Sequence, residues 1–335
     1  MRKICVLKFG GTSVGNGERI RHVATIIASV ARSSEGAFPV VVVSALAGVT
    51  DALLTIARLS CTGTREAVRH ELDELKQRHI EAATQAITDN KRLKALLVDL
   101  EQSFRLLEAE VAQLPQCYQA RPFNADASPV AAWGERLSAR LLAAAVQDVG
   151  VQATAIRGEV IVLRDQQHPE PASFDMVIGA DPLLEATRVQ AAALLHPLLE
   201  WEVVPIVPGF IGRTPSGVVK TLGRGGSDLS ATVLGAVLDE CIGVTIFTDV
   251  DGVLSADPRL VGEEHVRLFP HLSYAEASHL ARLGAQVLHP QTLSPVMARR
   301  LPVQVRNTFR LHLQGTMIGP EEEQASEPAI AYMMH

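Results

Sequence analysis

Ile4-Cys5-Val6-Leu7-Lys8-Phe9-Gly10-Gly11-Thr12-Ser13 joins a short apolar, β-branched run directly to paired glycines, and a second glycine segment, Gly223-Arg224-Gly225-Gly226-Ser227-Asp228, follows far downstream. Each adjoins a strand-like stretch and opens into a helical pattern. In that geometry bare backbone N–H groups and a helix N-terminus cradle an anion. The first segment carries its lysine before the glycines, whereas the P-loop pattern G-x-x-x-x-G-K-[ST] places it after them, and that pattern occurs nowhere in the chain. The dinucleotide fingerprint G-x-G-x-x-G is absent too, since Gly223-Arg224-Gly225 continues without a third glycine at the required offset. Two phosphate-type loops are therefore expected, neither of the Walker nor of the Rossmann kind.

Working outward, short β-branched runs alternate with longer helical patterns along the whole chain. This predicts a mostly parallel sheet covered by helices on both faces, a three-layer α/β/α sandwich. The expected strands are Ile4–Phe9, Val40–Ser44, Val151–Ala155, Val203–Val207, Val244–Thr248 and Val303–Arg306. Expected helices are Glu18–Arg32, Val49–Leu59, Ser128–Asp148, Leu183–Leu199, Asp228–Leu238, Tyr274–Leu283 and Pro290–Arg299. The stretch 65–114 is rich in Glu, Lys, Gln, Arg and Leu at helical spacing, with a break at Thr88-Asp89-Asn90. It reads as an inserted helical hairpin. Segments Arg157–Ala172 and Thr214–Lys220 lack periodicity and read as loops or short hairpins at the sheet margin.

With 335 residues, the chain is long enough for one large two-lobed domain or two domains. Apolar residues at 47% and charged residues at 20% exclude disordered, collagen-like and coiled-coil classes. A formal charge of −6 argues against a chain-wide nucleic-acid footprint, so any anion site must be local. Four scattered cysteines without a C-x-x-C pair fit reduced thiols. The longest apolar run, Val40–Leu46, is too short for a membrane span, and no signal peptide is legible. A cytoplasmic enzyme is the expectation. His265, His271, His279 and His289 fit no metal-ligand spacing and read as surface or core residues.

Seven motifs then occur in a particular order: Lys8–Val14, Ser44–Thr50, Gly134-Glu135, Pro208–Gly212, Gly223–Asp228, Thr248–Gly252 and Asp257-Pro258-Arg259. In this the chain resembles the catalytic domain of aspartate kinases, within the amino acid kinase family, over roughly residues 3 to 310. The resemblance implies an α/β/α catalytic domain at 1–310. An amino-acid-binding lobe would occupy about 1–200 and an ATP-binding lobe about 201–310. It implies ATP-dependent phosphorylation of the L-aspartate β-carboxylate to 4-phospho-L-aspartate, with Mg²⁺. No nucleic acid and no membrane are expected among the partners, and a homodimer is the candidate assembly. Because aspartokinases usually continue into small regulatory domains, 311–335 is expected to be a tail or the start of one. The alternatives are a relative acting on another carboxylate such as glutamate, or a catalytically impaired aspartate-binding regulatory subunit.

The chemistry constrains the residues independently. A carboxylate acceptor has an ordinary pKa of roughly 4 and needs no general base at neutral pH. Charge neutralisation is the demand, since a polyphosphate and a carboxylate crowd negative charge together. Lys8 is either a solvated strand-end lysine or the cation for the transferring phosphoryl, and the Gly10-Gly11-Thr12-Ser13 run favours the second. Gly10 and Gly11 would supply the phosphate loop. Arg224 can fork onto the α-carboxylate of an amino acid. Asp228 is read both as a helix N-cap and, by the resemblance, as a catalytic residue beside Lys8 and Gly11. Glu135 becomes, by the resemblance, the partner of the substrate ammonium, with a structural pair to Arg136 or Arg140 as the alternative. Ser44, Thr50, Gly225 and Ser227 complete the substrate set, with Phe210 either packing on the amino acid or belonging to the core. For the nucleotide, the resemblance points to Thr248, Asp249, Leu254, Arg259 and Gln286. Leu254 and Gln286 depart from the family, which commonly has tyrosine and lysine there, so the charge on the polyphosphate shifts toward Arg259.

Overall fold

The computed structural model describes residues 2–34, 36–120 (backbone only at 115–120), 127–165, 180–255, 262, 266–282, 288–289 and 291–320. Its strands are β1 (Ile4–Phe9), β2 (Phe38–Val43), β3 (Ala153–Ala155), β4 (Val204–Pro208), β5 (Ile211–Arg213), β6 (Val219–Thr221), β7 (Cys241–Thr248), β8 (His271–Ser273), β9 (Val303–Asn307) and β10 (Thr316–Gly319). The helices are α1 (Gly17–Arg32), α2 (Val49–Thr62), α3 (Arg65–Ala86), α4 (Asn90–Ala120), α5 (Ser128–Ala131), α6 (Trp133–Asp148), α7 (Leu184–Glu200), α8 (Gly226–Val237), α9 (Tyr274–Arg282) and α10 (Ser294–Met297).

Eight strands form one sheet in the order β3-β4-β2-β1-β7-β9-β10-β8, and β5 with β6 makes a separate antiparallel hairpin. From β3 to β9 every pairing is parallel; β10 runs antiparallel to β9. Helices α1 and α6 pack on one face and α7 and α8 on the other, giving the α/β/α sandwich. Every residue of β1 and β2 is buried. That is why these strands read as unbroken apolar runs: a parallel strand covered on both faces has no wet side on which to alternate.

Chain order explains where a ligand belongs. The chain leaves β1 toward β2 and β4, then crosses to the other side of β1 to lay down β7 and β9. The switch point is thus between β1 and β7, and in open parallel sheets the crevice beyond the strands' carboxyl ends at such a point is the binding place. Phe9 and Phe247 stack there with ring centroids 4.7 Å apart, closing the floor.

Some expectations need correction. The hairpin α3–α4 breaks at 87–89, and it packs on α1, α2 and α6, making a second shell outside the helical layer. Asp148, at the end of α6, fixes that break: its carboxylate accepts from Thr88 N–H at 3.0 Å, Thr88 Oγ1 at 2.7 Å and Asp89 N–H at 3.0 Å. Burial opposes its charge, but these bonds and Arg21 outweigh that and hold the carboxyl well below its usual range. Residues 316–319, read as part of a tail beginning at 311, are strand β10 of the main sheet. The helix expected at Pro290–Arg299 shrinks to Ser294–Met297, because Pro295 enters its first turn and Arg300 turns to φ +52° soon after. Among the described residues no helix is long and apolar enough to cross a membrane.

Candidate active site

Lys8, near the carboxyl end of the central strand, is 8% exposed, and its Nζ lies 2.5 Å from Asp228 Oδ1. Asp228 stands in the first turn of α8, where the helix macrodipole favours an anion. It is not the N-cap: that position belongs to Gly225, whose φ of +73° is left-handed. A side chain at Gly225 would also put a Cβ 2.6 Å from His289 Cβ. His289, legible in the sequence only as surface or core, therefore sits against the second glycine loop.

The first glycine loop is bonded to both neighbouring strands. Gly10 N–H donates to Phe247 O at 3.2 Å, Ala47 N–H donates to Gly11 O at 3.2 Å, and Ser44 N–H donates to Phe9 O at 3.1 Å. Glycine is required at 11 because a Cβ there would come within 2.8 Å of Ala45 O. At Gly10 a Cβ would stand 3.4 Å from Lys8 Nζ, filling the space beside the ammonium that a phosphoryl oxygen would need. The backbone thus leaves room for an anion at the cation.

Glu135 lies in the first turn of α6 and is 3% exposed. Its Oε1 accepts the Ala45 N–H at 3.1 Å, while Oε2 has no hydrogen-bond partner among the described residues. Burial pushes its pKa up to about 8 against the pull of the Ala45 bond. Gly134 lets the start of α6 approach the turn after β2, since a Cβ there would lie 2.7 Å from Ala45 Cβ. The alternative pairing with Arg136 or Arg140 is not what forms. Arg136 Nη2 bonds Glu159 Oε1 at 2.5 Å and Arg140 Nε lies 3.3 Å from Asp99 Oδ2.

The remaining expected substrate residues fall on the loops and first helical turns next to these groups. Ser44 and Thr50 are half-buried at the end of β2 and in the first turn of α2, and Ser227 is buried in the first turn of α8. Arg224 is exposed on the second glycine loop, with no ion pair among the described residues. Phe210 is half-buried with φ +66°, its N–H donates to Ser230 Oγ at 2.9 Å, and its ring packs against Gly226, where a Cβ would lie 2.8 Å from Cδ2.

On the other bank, Thr248 ends β7 and its hydroxyl bonds Asp249 Oδ1 at 3.2 Å; Asp249 is exposed. Leu254 is half-buried and bridges to Leu268. Arg259 and Gln286 lie outside the described residues. Sequence reading missed the tie across the crevice: Thr308 donates to Thr248 O through N–H at 2.8 Å and Oγ1 at 3.0 Å, and its hydroxyl meets Ser13 Oγ at 2.6 Å. A strand end followed by Asn307-Thr308 was the available signal, and the Ser13 of the glycine motif was its partner. Among the described residues, one trio of metal-type side chains, His70, Glu71 and Glu74, clusters on α3, away from this crevice.

A parallel sheet with a buried lysine between two glycine loops at its switch point defines a phosphoryl-transfer fold of known kind. The chain belongs to the amino acid kinase family, whose model matches residues 3–307. Among its relatives is aspartokinase 1, chloroplastic, of Arabidopsis thaliana, 34% identical over 320 residues, which are 94% of this chain and 52% of that protein. The bifunctional aspartokinase/homoserine dehydrogenase 2, chloroplastic, of the same plant is 35% identical over 95% of this chain and 33% of its own length. Among solved structures, E. coli aspartokinase III in complex with aspartate and ADP superposes with a TM-score of 0.79 at 28% identity, covering 96% of this chain and 66% of that one. The chain thus spans about half, or less, of the length of these plant relatives.

Proposed function

We propose that this chain is an aspartate kinase, transferring the γ-phosphoryl of ATP to the β-carboxylate of L-aspartate to give 4-phospho-L-aspartate. The observation that carries the reading is Glu135: a buried carboxyl with one oxygen unpartnered among the described residues, bonded to the turn after β2 that also meets Gly11 beyond Lys8. Such an oxygen is costly to bury unless a cation arrives to meet it. An amino acid brings that cation, and carbamate or a nucleotide does not. The likeness to aspartokinases over nearly the whole chain supports aspartate as the amino acid.

In this reading Glu135 takes the substrate ammonium and Arg224 turns onto the α-carboxylate, which directs the side-chain carboxylate at Lys8. Phe210, Ser44, Thr50, Gly225 and Ser227 shape the pocket. Lys8 neutralises charge on the transferring phosphoryl, with Asp228 holding its ammonium in place and the Gly10–Gly11 backbone alongside. No residue need remove a proton, since the acceptor is already an anion. The rim after β7, with Thr248, Asp249 and Leu254, together with Arg259 and Gln286, would receive the nucleotide. Mg²⁺ is normally held through one or two carboxylates plus the substrate phosphates, and Asp249, an exposed carboxylate at the end of β7, fits that donor type. When bound, the ion would neutralise phosphate charge.

In this reading the amino-acid-binding lobe occupies about 1–200 and the ATP-binding lobe about 201–310, the two sharing one continuous sheet. A homodimer in a cytoplasmic location completes the proposal. A coupled ADP-release assay with aspartate, glutamate or no acceptor tests it, with hydroxylamine trapping the acyl phosphate. ADP and hydroxamate should form with aspartate. Equal rates with glutamate, or ADP release without an acceptor, would overturn the assignment.

A further inference from the structure

Strand β7 ends at Thr248, and the residues that follow, Asp249 to Gly252, have left the sheet, so their polar groups must find partners elsewhere. Among the described residues, the hydrogen bonds that reach this rim from outside come from Asn307 and Arg310. Asn307 closes β9 opposite Thr248 and is 5% exposed. Its Nδ2 donates to Asp249 O at 3.2 Å and to Asp251 Oδ1 at 2.6 Å, while its Oδ1 accepts the Phe309 N–H at 2.8 Å. Asp251 Oδ2 accepts from Arg310 Nη1 at 3.0 Å.

The two holds on Asp251 are unequal. The Arg310 side chain is 61% exposed, and an ion pair so open to water contributes little. The Asn307 amide is buried, and both its hydrogens and its oxygen are spent. Aspartate would match its shape but has no hydrogen to give. What the amide holds is the ground under two groups of the nucleotide bank: the Thr248 hydroxyl and the exposed Asp249 carboxylate, which bond each other at 3.2 Å. A rim ordered before its ligand arrives spares the ligand the entropy of ordering it. Among the described residues the Asn307 side chain bonds nothing on the amino-acid bank.

We propose that Asn307 is a positioning residue for the nucleotide: by tying Asp249 O and Asp251 to the end of β9 it presets the Thr248–Gly252 rim, and with it the Asp249 carboxylate. It acts through that rim and touches neither substrate. The role rests on the placing of the nucleotide given above, and it does not depend on which amino acid is the acceptor.

The test compares the parent, Asn307→Asp, and Asn307→Asp with Asp251→Asn. Calorimetry measures the Kd of MgADP with no acceptor present, and kinetics gives KM for ATP and for aspartate. Asn307→Asp keeps the acceptor for Phe309 but loses both donors and faces Asp251 with a second carboxylate. The Kd of MgADP and KM for ATP should rise about tenfold, while KM for aspartate stays within about twofold. In the double variant amide and carboxylate have changed places, so the bond re-forms in the opposite sense and both nucleotide constants should return to within about threefold of the parent. If Asn307→Asp does not fold, Asn307→Ser, which removes the amide without adding charge, should move the same constants the same way by less. Unchanged MgADP affinity in the single variant, a double variant no better than the single, or a KM for aspartate that rises as far as that for ATP overturns the positioning role and leaves Asn307 a strut. A parent that binds no MgADP overturns the nucleotide reading of the rim and this role with it. A parent that binds MgADP yet phosphorylates glutamate as fast as aspartate overturns the acceptor assignment alone.

Discussion

The two banks of the crevice are built by opposite rules. On the bank formed before β7 most polar groups are dry: Lys8 lies against Asp228, Arg136 against Glu159, and Glu135 keeps one oxygen without a partner among the described residues, with exposed Arg224 at the rim. On the bank formed by the ends of β7 and β9, Asp249 is out in water, the one buried cation among the described residues there, Arg306, is spent on backbone carbonyls near Leu311, and the main chain is stitched by Thr308 to Thr248. A small charged molecule is recognised by preformed charges at low dielectric, where each is worth more. A larger ligand with a long polar edge can be met by strand-end geometry at an open rim. If that contrast is right, substitutions on the first bank should cost far more than those on the second, and each should affect its own substrate.

The largest loss belongs to Lys8→Ala. A preorganised charge at the transferring group contributes roughly 3–4 kcal/mol, so kcat should drop by about a hundredfold or more with the circular dichroism spectrum unchanged. Turnover within about tenfold of the parent would break the comparison at its centre.

Next comes Glu135→Gln, which should raise KM for aspartate by about thirtyfold, the loss of one hydrogen bond to a charged group, with kcat less affected. This position also carries a pH signature. The carboxyl is raised by burial from 4.5 to about 8, so the free fold holds a proton there that the unfolded chain gives up at lower pH. Its contribution to stability is therefore fully present below about 4.5 and is lost as pH rises toward about 8. Thermal melts of Glu135→Gln should match the parent in acid and exceed it near pH 8. Aspartate binding should in turn release a proton below pH 8, visible by calorimetry in buffers of different ionisation enthalpy, and KM for aspartate should fall as pH approaches about 8.

Arg224→Lys should cost about tenfold in KM for aspartate, since lysine keeps the charge and loses the fork. A change in ATP dependence alone would put Arg224 on the wrong bank. The smallest effect is expected at Thr308→Val, which removes one hydroxyl bridging Ser13 and Thr248 and should raise KM for ATP by about fivefold while leaving that for aspartate alone.

What could be read in advance follows the same division. Buried parallel strands announce themselves as apolar runs, so β1 was legible to the residue and the other five expected strands to within three positions, β3 being shorter than the run around it. β8 and β10 are three and four residues long at one side of the sheet, too short for any periodicity, and their pairing is decided by contacts between distant segments. In the site, glycine loops and the residues inside them could be found because backbone geometry demands glycine at those places. Glu159 could not: it is an isolated acid in an aperiodic stretch, and its meaning comes from two arginines, one 23 residues before it and one 54 after. His289 and Thr308 were opaque for the same reason.

Phe210 holds a left-handed backbone while carrying a ring, a conformation that costs of order 1–3 kcal/mol and that glycine or asparagine would adopt more cheaply. The ring is what packs against the first turn of α8, so a replacement that relaxes the turn also empties that wall of the pocket. Selection for heat resistance and selection for turnover would then pull this position in opposite directions. A library screened only by melting temperature should drift to Gly or Asn at 210, and one selected for growth that depends on the enzyme making its product should keep the aromatic.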